Sequence, residues 1–399
     1  MTFPSHLNPC HLNDVALDEL GREIDAIRDQ VMADRGPRDR RYLLRLIRVQ
    51  RSLALAGRVV MLASIALLPR WGYSLASWPA FFAVMSLGTL ALALAKILEN
   101  MEIGHNVMHA QWDWMHDPEI QSGTWEWDTV CPSDQWKHSH NVVHHTWTNV
   151  VGKDRDVGYG MLRVTDQQRW HPFFLLQPVS ALVMALFFEW FIALHDLELN
   201  RVFAGKRELA TVWPMLRRIG RKVARQSLKD YLLWPMLAGP FFLYVLAGNV
   251  AANLMRNVWT FVIIFCGHFP DGAHYFRAKD VEGETRARWY VRQMLGSCNI
   301  GGGQLFHVLS GNLSHQIEHH LFPDMPSNRY PEVAPRVRAL SARYGLPYNT
   351  HSLGHQFGST MRRIWKLSLP PAWSRTREST TSLKTIREPA PTPWAPGAT

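Results

Sequence analysis

The sequence lacks the features that mark several common kinds of site. Its 399 residues include only four cysteines, which are scattered and form no C-x-x-C pair. The small number of cysteines and the absence of a C-x-x-C pair argue against an iron–sulfur cluster, a structural zinc site and a disulfide scaffold. The N-terminus contains no basic stretch followed by an apolar run, so we expect no cleaved signal peptide. No internal repeat is visible, which argues against a repeat architecture.

Apolar residues, in contrast, are abundant. They make up 47% of the chain, yet the mean hydropathy is −0.14 and the net charge is +10. This mixture is typical of a membrane protein that carries a substantial polar cap. Residues 71–95 contain no charge and are long enough to cross a bilayer. Residues 53–69 form a shorter apolar stretch with one charge, Arg58, and we predict that they cross the membrane as well.

A second pair of spans is predicted in the later half of the chain. Residues 231–267 contain a single charged residue. As one helix they would be about 56 Å long, which is nearly twice the thickness of the hydrocarbon core. We therefore predict two spans, 231–248 and 250–267, with a turn near Gly248 and Asn249.

The distribution of arginine and lysine predicts which span ends face the cytoplasm. Residues 35–51, before the first span, contain seven arginines, and residues 196–230 contain nine basic residues. Both stretches are expected on the cytoplasmic side. Segment 172–194 lies between the two pairs of spans and must then begin and end on the same side. We predict an interfacial or re-entrant helix there, and the alternative is a fifth span.

These assignments divide the chain into three parts. Residues 1–50 form a basic cytoplasmic N-terminal segment, residues 51–350 form an all-α membrane domain with four transmembrane helices, and residues 351–399 form a C-terminal segment. The last part is rich in proline, serine and threonine, and we predict disorder from about residue 370. With four spans, both termini and a helical cap face the cytoplasm, and the predicted location is the cell membrane.

Histidines are concentrated in three motifs, HNVMH, HNVVHH and HQIEHH, and one more ends the predicted fourth span. On an α-helix, residues i and i+4 share a face, so the first two rings of each motif point the same way. In the two triplets the third ring lies about 100° further round the helix, within reach of a second ion. The nine candidate ligands are His105, His109, His140, His144, His145, His268, His315, His319 and His320.

This set of histidines predicts a metal centre in the cytoplasmic cap. Nine ligands exceed the coordination positions of one transition-metal ion, so we predict two ions that share a nearly all-imidazole shell. Imidazole suits zinc, copper, iron and nickel alike, so the spacing alone leaves the metal open. A ligand histidine also needs a partner for its second ring nitrogen. The acidic candidates for this role are Asp154, Asp156, Asp271, Glu102 and Glu318.

The three motifs resemble the histidine boxes of the membrane fatty acid desaturases. QIEHHLFP resembles the third box of the acyl-lipid and front-end branch, and ENMEIGHNVMH and RNVWTFVIIFCGHFPDGA are similar to actinobacterial acyl-CoA desaturases of the stearoyl-type Δ9 kind. The resemblance runs from about residue 50 to residue 350. It implies a non-haem di-iron enzyme that uses O₂ and two electrons to insert a cis double bond into a long-chain acyl-CoA or acyl-lipid.

The resemblance also implies which residues bind the two iron ions. Seven of the histidines match box positions, and His268 matches an additional ligand that the family takes from the end of its fourth span. In the third box, front-end enzymes place glutamine first, and Gln316 follows His315 directly in this sequence. We favour His315, because it reproduces the spacing of HNVVHH and imidazole is the better ligand. Gln316 is the alternative.

The source of electrons is expected to lie outside this chain. The sequence contains no H-P-G-G haem motif and no flavin or nucleotide fingerprint. An external electron donor is therefore predicted, and the basic cytoplasmic face suits an acidic ferredoxin or an iron–sulfur flavin reductase. Membrane lipid is a further partner, whereas no nucleic acid is expected.

Two other functions are compatible with parts of this pattern. Membrane di-iron hydroxylases of alkyl chains share the three boxes and differ in their product, which is an alcohol instead of an alkene. A histidine-rich metal transporter would place its ligands within the spans, near the bilayer midplane. Here nearly all the histidines lie beyond the predicted span ends, which disfavours transport.

Overall fold

A computed structural model of the protein describes residues 12–69 and 75–371. Disorder is predicted from about residue 370, and residues 372–399 lie outside the described residues. Residues 71–74, the first of the predicted span 71–95, lie outside them as well. Most of the described chain is helical. The α-helices are α1 (Asp14–Ala33), α2 (Pro37–Ser64), α3 (Trp78–Ile97), α4 (Asn106–Met108), α5 (Ser133–Lys137), α6 (His145–Trp147), α7 (Gln177–Leu186), α8 (Phe188–His195), α9 (Leu199–Phe203), α10 (Leu209–Gln226), α11 (Trp234–Met236), α12 (Phe242–His268), α13 (Arg286–Gly296), α14 (Gln304–Leu309), α15 (Gln316–Leu321), α16 (Tyr330–Arg343) and α17 (Leu353–Ser368).

Shorter elements connect these helices. The π-helical segments are Leu98–His105, His138–His144 and Ser227–Leu233. The 3₁₀ turns are Ile65–Leu67, Asp113–Met115, Gly158–Gly160, Pro172–Leu176, Gly239–Phe241, Ala278–Val281 and Ser327–Arg329. The strands are β1 (Val150–Val151), β2 (Phe276–Arg277), β3 (Asn299–Gly301) and β4 (Thr350–Ser352). Within the described residues they form two parallel pairs, β1–β2 and β3–β4, which the all-α prediction did not include.

Three helical runs of the described residues are long and apolar enough to cross a membrane: Pro37–Leu67, Trp78–Met108 and Gly239–His268. The first two pack side by side, and a glycine on each allows their backbones to approach closely. A Cβ atom on Gly57 would lie 2.7 Å from the carbonyl oxygen of Gly88. Small residues at such a contact are typical of packed membrane helices.

The turn predicted near Gly248 and Asn249 is wrong. α12 continues through both residues without a break, and the chain turns earlier, at Gly239, which has a φ of +52°. A Cβ atom on Gly248 would lie 2.6 Å from Met61 Sδ, so this glycine makes room for α2. The side chain of Asn249 is buried and donates to a backbone carbonyl of its own helix. The two residues that resemble a turn therefore serve helix packing.

Residues 231–248 consequently do not form one helix. Their first part completes a helical run that begins with α10 and continues through Ser227–Leu233 into α11. By length and composition, the part of the chain that the structure describes contains three candidate spans, or four if the bent pair α7–α8 is one span. These findings support a bundle of apolar helices, and the four spans with the predicted bounds are not confirmed.

Segment 172–194 forms a bent pair of helices. Pro172–Leu186 and Phe188–His195 meet at an angle of 99°. A re-entrant segment has such a bend, and so does a broken span, so the interfacial or re-entrant helix stays a prediction. α8 is tied to α12 by a buried ion pair of 2.5 Å between Glu189 and Arg256.

The predicted domain limits at residues 50 and 350 fall inside packed elements. α2 runs through the first limit, and β4 extends across the second and pairs with β3. α1 belongs to the same hydrophobic core as α13, α15 and α16, in which Leu20, Ile24 and Tyr290 are buried. The N-terminal helix therefore supports the segment that carries the third histidine motif.

Candidate metal centre

The first histidine motif begins at the last residue of a π-helical segment, and the second lies on another except for its last histidine. Leu98–His105 continues α3, and His138–His144 continues α5. In a π-helix the backbone bond joins residues five apart, and such turns are frequent at functional sites. The N–H of His145 donates to the carbonyl of His140 in this manner. The wider turn brings residue i+5 back towards residue i, so the α-helical angle of about 100° does not apply. All three rings of HNVVHH consequently enter the same centre.

The first group of histidines combines all three motifs. It consists of His105, His109, His140 and His319, whose ligand nitrogens all lie within 4.8 Å of one another. His105 Nε2 and His319 Nε2 are 3.4 Å apart, although these residues are separated by 214 positions in the sequence. The tertiary fold therefore builds four imidazoles from distant segments into one candidate ion site.

The second group consists of His144, His268 and His320, again with ligand nitrogens within 4.8 Å of one another. His268 Nε2 and His320 Nε2 are 3.2 Å apart. The amide of Gln316 adds a fourth side chain, since its Nε2 lies 2.9 Å from His268 Nε2. A Cβ atom on Gly267 would lie 3.0 Å from the Gln316 side chain, so the glycine before His268 leaves the space that the amide occupies.

His145 lies between the two groups. Its ring centroid is 4.7 Å from that of His109 in the first group and 4.4 Å from that of His320 in the second. Both of its ring nitrogens are buried, and neither has a hydrogen-bond partner among the described residues. The ring is therefore placed to serve either group.

His315, the favoured first ligand of the third motif, lies away from both groups. Its ring faces His307, with centroids 4.6 Å apart, and it joins none of the metal-type groups found in the described residues. α15 begins at Gln316, and His315 precedes it with a φ of −99° and a ψ of 57°. Helical spacing therefore does not apply to His315. This corrects the preference for His315, because Gln316 is the residue that reaches the centre.

Two of the five acidic candidates contact histidines of the two groups. Asp154 accepts from His144 Nδ1 at 3.1 Å and is itself held by a backbone N–H at 2.8 Å. Asp156 lies 3.7 Å from His140 Nδ1 and 3.1 Å from His195 Nε2. Carboxylates in these positions orient a ligand ring and raise its basicity.

The other three acidic candidates stabilise the surrounding structure instead. Glu102 accepts from Tyr42 Oη at 2.8 Å, and Glu318 accepts from Tyr348 Oη at 2.7 Å. Asp271 pairs with arginines of α17 at the surface. Closeness in sequence to a histidine motif therefore does not predict which acids contact the histidines of the two groups.

Three contacts of the centre were not predicted from the sequence. Gln293 Oε1 lies 3.0 Å from His320 Nδ1, and Tyr330 Oη lies 3.3 Å from His319 Nδ1. His195 of α8 contacts Asp156. Gln293 and Tyr330 belong to α13 and α16, which carry no histidine motif. No spacing in the sequence marks these residues.

Burial lowers the pKa of most of these imidazoles and so favours their neutral form, whereas the carboxylates of Asp154 and Asp156 raise the pKa of His144. Burial lowers the pKa of His140 to about 4 and, together with neighbouring histidines, holds the pKa values of His145, His319 and His320 well below their ordinary range. Neutral imidazole is the form that binds a metal ion. Buried nitrogens of His109, His140 and His145 also lack hydrogen-bond partners in the described structure, which is costly unless an ion satisfies them. The residues present therefore fit a transition-metal site.

A narrow cavity, the metal cavity, adjoins both groups. The indole of Trp136 stacks on the ring of His140 at its wall, with centroids 4.4 Å apart and planes at 21°. Aromatic and apolar side chains therefore lie beside the candidate ligands in the wall of the metal cavity. Its lining includes His105, His140, His144, His268, Gln316, Met101, Ile264, Phe269 and Leu313.

Apolar helices next to a histidine-rich candidate metal site are typical of a membrane metalloenzyme. The sequence model of one family, described as fatty acid desaturase, matches residues 76–352 and so includes every candidate ligand. The chain therefore belongs to the fatty acid desaturase family. It is an oxidoreductase that desaturates fatty acyl chains.

The chain is similar to desaturases named for different substrates. It is 47% identical over 369 residues to the NADPH-dependent stearoyl-CoA 9-desaturase of Mycobacterium tuberculosis, with 92% of this chain and 83% of the relative covered. It is 24% identical over 293 residues to the sn-1 linoleoyl-lipid 6-desaturase of Synechocystis sp., with 70% of this chain and 79% of that relative covered. Membership of the family alone therefore leaves the head group of the substrate open.

Proposed function

We propose that this protein uses O₂ to insert a cis double bond into a long-chain acyl-CoA, at two iron ions on the cytoplasmic side of the cell membrane. The observation that carries the proposal is the pair of histidine groups with His145 between them, next to the metal cavity that His105, His140, His144 and His268 line. The name of the M. tuberculosis relative supports CoA as the head group and carbon 9 as the position.

Eight histidines and one glutamine would hold the two ions. The first group would bind one ion, the second group together with Gln316 would bind the other, and His145 faces both. An imidazole-rich set of this kind accepts iron among other transition metals, and the family resemblance selects iron. When bound, the ions supply the chemistry that consumes O₂ and two electrons and removes hydrogen from two neighbouring methylenes.

The side chains of the metal cavity would position the acyl chain. Met101, Ile264 and Leu313 offer apolar walls beside the histidines, and a rigid wall decides which carbon lies nearest to the ions. Asp154 would hold the His144 ring in a fixed orientation through its hydrogen bond, and Asp156, 3.7 Å from His140 Nδ1, places a negative charge beside the other ring.

Electrons would come from a separate protein. The chain has no flavin or nucleotide fingerprint, whereas the M. tuberculosis relative is named NADPH-dependent. The combination supports a reductase that oxidises NADPH and passes electrons to this protein, either an iron–sulfur flavin reductase or a reductase that acts through a ferredoxin. The three to four apolar helices support a multi-pass membrane location, and the arginine-rich segments support cytoplasmic termini.

The test is expression with a matched electron donor, followed by gas chromatography and double-bond mapping of the lipids. We expect new monounsaturated chains that disappear in His319→Ala, and a loss of iron from the purified variant. The matched control is His355→Ala, which removes an exposed histidine of α17. That variant should retain both iron and product.

Unchanged unsaturation in His319→Ala would contradict the site, since His319 lies in the first group. An alcohol in place of an alkene would support the hydroxylase alternative instead. Metal analysis of the parent protein separates iron from zinc, copper and nickel, which the ligand set alone does not distinguish.

A further inference from the structure

The two carboxylates next to the centre, those of Asp154 and Asp156, are held in different ways. The carboxylate of Asp154 accepts from His144 Nδ1 and from two backbone N–H groups, those of Asn149 and Asp156. The carboxylate of Asp156 accepts one hydrogen bond within the described part of the chain, and the donor is His195. Asp154 is therefore fixed by donors of its own segment, whereas Asp156 depends on a residue of α8.

The carboxylate of Asp156 lies near two candidate ligand rings without a hydrogen bond to either. Its Oδ2 is 3.7 Å from His140 Nδ1 and 3.8 Å from His144 Nδ1. Both distances exceed the length of a hydrogen bond, so the attraction is electrostatic and fixes no angle. The negative charge therefore stays beside the two rings only if another group holds the carboxylate in place.

His195 is buried at the end of α8, and both of its ring nitrogens face oxygen atoms. Nδ1 lies 2.9 Å from the carbonyl oxygen of Ile192 and 3.2 Å from that of Phe191. A carbonyl oxygen can only accept, so Nδ1 carries a hydrogen. Nε2 lies 3.1 Å from Asp156 Oδ1. The last carbonyls of α8 thus orient the ring, and the ring directs its second nitrogen at the carboxylate.

α8 itself is fixed near both of its ends. Near its start, Glu189 forms the buried ion pair with Arg256 of α12. At its end, His195 contacts Asp156 in the loop that follows β1, and both side chains line the metal cavity. α8 carries no candidate ligand. It is nevertheless a fixed element from which the loop can be held against the ligand rings.

We infer that His195 is a positioning residue of the metal centre, and that it acts by holding the carboxylate of Asp156 beside His140 and His144. This inference rests on the proposed function, which places metal ions on those two rings. Groups around the ligands of a metal site orient them, and removal of such a group weakens metal affinity. Here the contacts include one further step, from His195 to Asp156 and from Asp156 to the rings.

The neighbouring residues provide a matched control. Arg155 precedes Asp156 and pairs with Asp196, which follows His195, so this ion pair joins the same two segments. Neither Arg155 nor Asp196 is among the residues that line the metal cavity. The variant Arg155→Gln therefore tests whether any link between the loop and α8 is sufficient for the centre.

The test is metal retention by the full-length holoenzyme in detergent micelles, measured against a competing chelator. His195→Leu removes both ring nitrogens, and we expect the variant to lose its metal about tenfold more readily, as when an orienting partner is removed. His195→Gln keeps an N–H donor for Asp156 and should recover part of this loss. Arg155→Gln should stay within about twofold of the parent protein, because a partly exposed ion pair contributes little.

A double-mutant cycle shows whether His195 acts through Asp156. If it does, His195→Leu adds no further loss of metal to that of Asp156→Asn, because the carboxylate that His195 holds is already absent. A role in packing α8 alone would add its own loss instead. If His195→Leu does not fold, His195→Gln completes the same cycle with Asp156→Asn.

Equal retention by His195→Leu and the parent protein overturns the inference. Additive losses in the cycle do so as well, and so does an equal loss in Arg155→Gln. None of these measurements requires turnover. A negative result therefore leaves the proposed desaturation standing, since His319→Ala tests that activity separately. A parent protein that binds no transition metal would reject the proposed metal centre, and this inference with it.

Discussion

The motifs HNVVHH and HQIEHH have the same histidine spacing but different backbones. The first lies on the π-helical segment His138–His144, and all three of its rings enter the centre. The second straddles the start of α15, a helix of six residues, so His315 stays outside and Gln316 lies beside His268. Identical spacing therefore leads to two different sets of side chains, because the type of helix and its first residue decide which positions share a face.

The two motifs also differ in what orients their rings. His140 and His144 are supported by the carboxylates of Asp156 and Asp154, whereas the rings of HQIEHH are supported by neutral groups, Gln293 and Tyr330. A carboxylate raises the basicity of its imidazole partner more than a neutral group does. We therefore expect the rings of HNVVHH to depend more strongly on their partners than the rings of HQIEHH.

The largest expected contrast is between His140→Ala and His315→Ala, which alter equivalent positions of the two motifs. We expect the first variant to lose more than about 100-fold in desaturation, since losing a ligand costs more than losing an orienting partner. The second should stay within about twofold of the parent protein, because His315 faces His307 away from both groups. Product analysis and iron content measure both effects. An equal loss of iron in both variants would remove the distinction between the motifs.

A second contrast compares the acids next to each motif. Asp154→Asn should weaken metal affinity about 10- to 100-fold, because it removes a carboxylate from His144 Nδ1. Glu318→Gln should leave metal affinity nearly unchanged, since Glu318 binds Tyr348 and Asn299 instead of a ligand ring. Metal retention against a competing chelator is the measurement. Similar retention by the two variants would show that the carboxylates are not distinguished by their contacts.

Gln316→Ala tests the residue that takes the place of His315. We expect kcat to fall about tenfold with little change in KM, because the amide contacts His268 and not the outer part of the cavity. Steady-state kinetics with an acyl-CoA substrate separates the two constants. An unaltered kcat would indicate that His268 is sufficient at this position.

The smallest expected effect is that of Tyr330→Phe. Its hydroxyl contacts His319 Nδ1 at 3.3 Å and donates to the carbonyl of Phe322 at 3.1 Å. Removing it should reduce stability by about 1–3 kcal/mol, the cost of an unpaired buried group, and lower activity by less than about threefold. Thermal unfolding in micelles and product yield provide the two readouts. A loss of activity as large as that of Asp154→Asn would mean that neutral and charged partners are equivalent here.

Part of the structure followed from the sequence with little ambiguity. Apolar runs located most of the candidate spans Trp78–Met108 and Gly239–His268, histidine spacing identified seven side chains that meet in the centre, and the end of an apolar run identified an eighth, His268. The error at Gly248 shows the limit of this reasoning. Glycine permits both a turn and a close helix contact, and only the neighbouring Met61 distinguishes the two uses.

The sequence by itself determined the chemistry of this protein: apolar helices for a membrane, imidazoles for transition metals, and family motifs for desaturation. The tertiary structure decided which side chains enter the centre and which groups contact them. The π-helical turns set the directions of the rings, and residues without any motif, such as Gln293 and Tyr330, reach the centre from other helices. The reason is physical, because the coordination of an ion depends on distances between side chains that spacing along one helix does not contain.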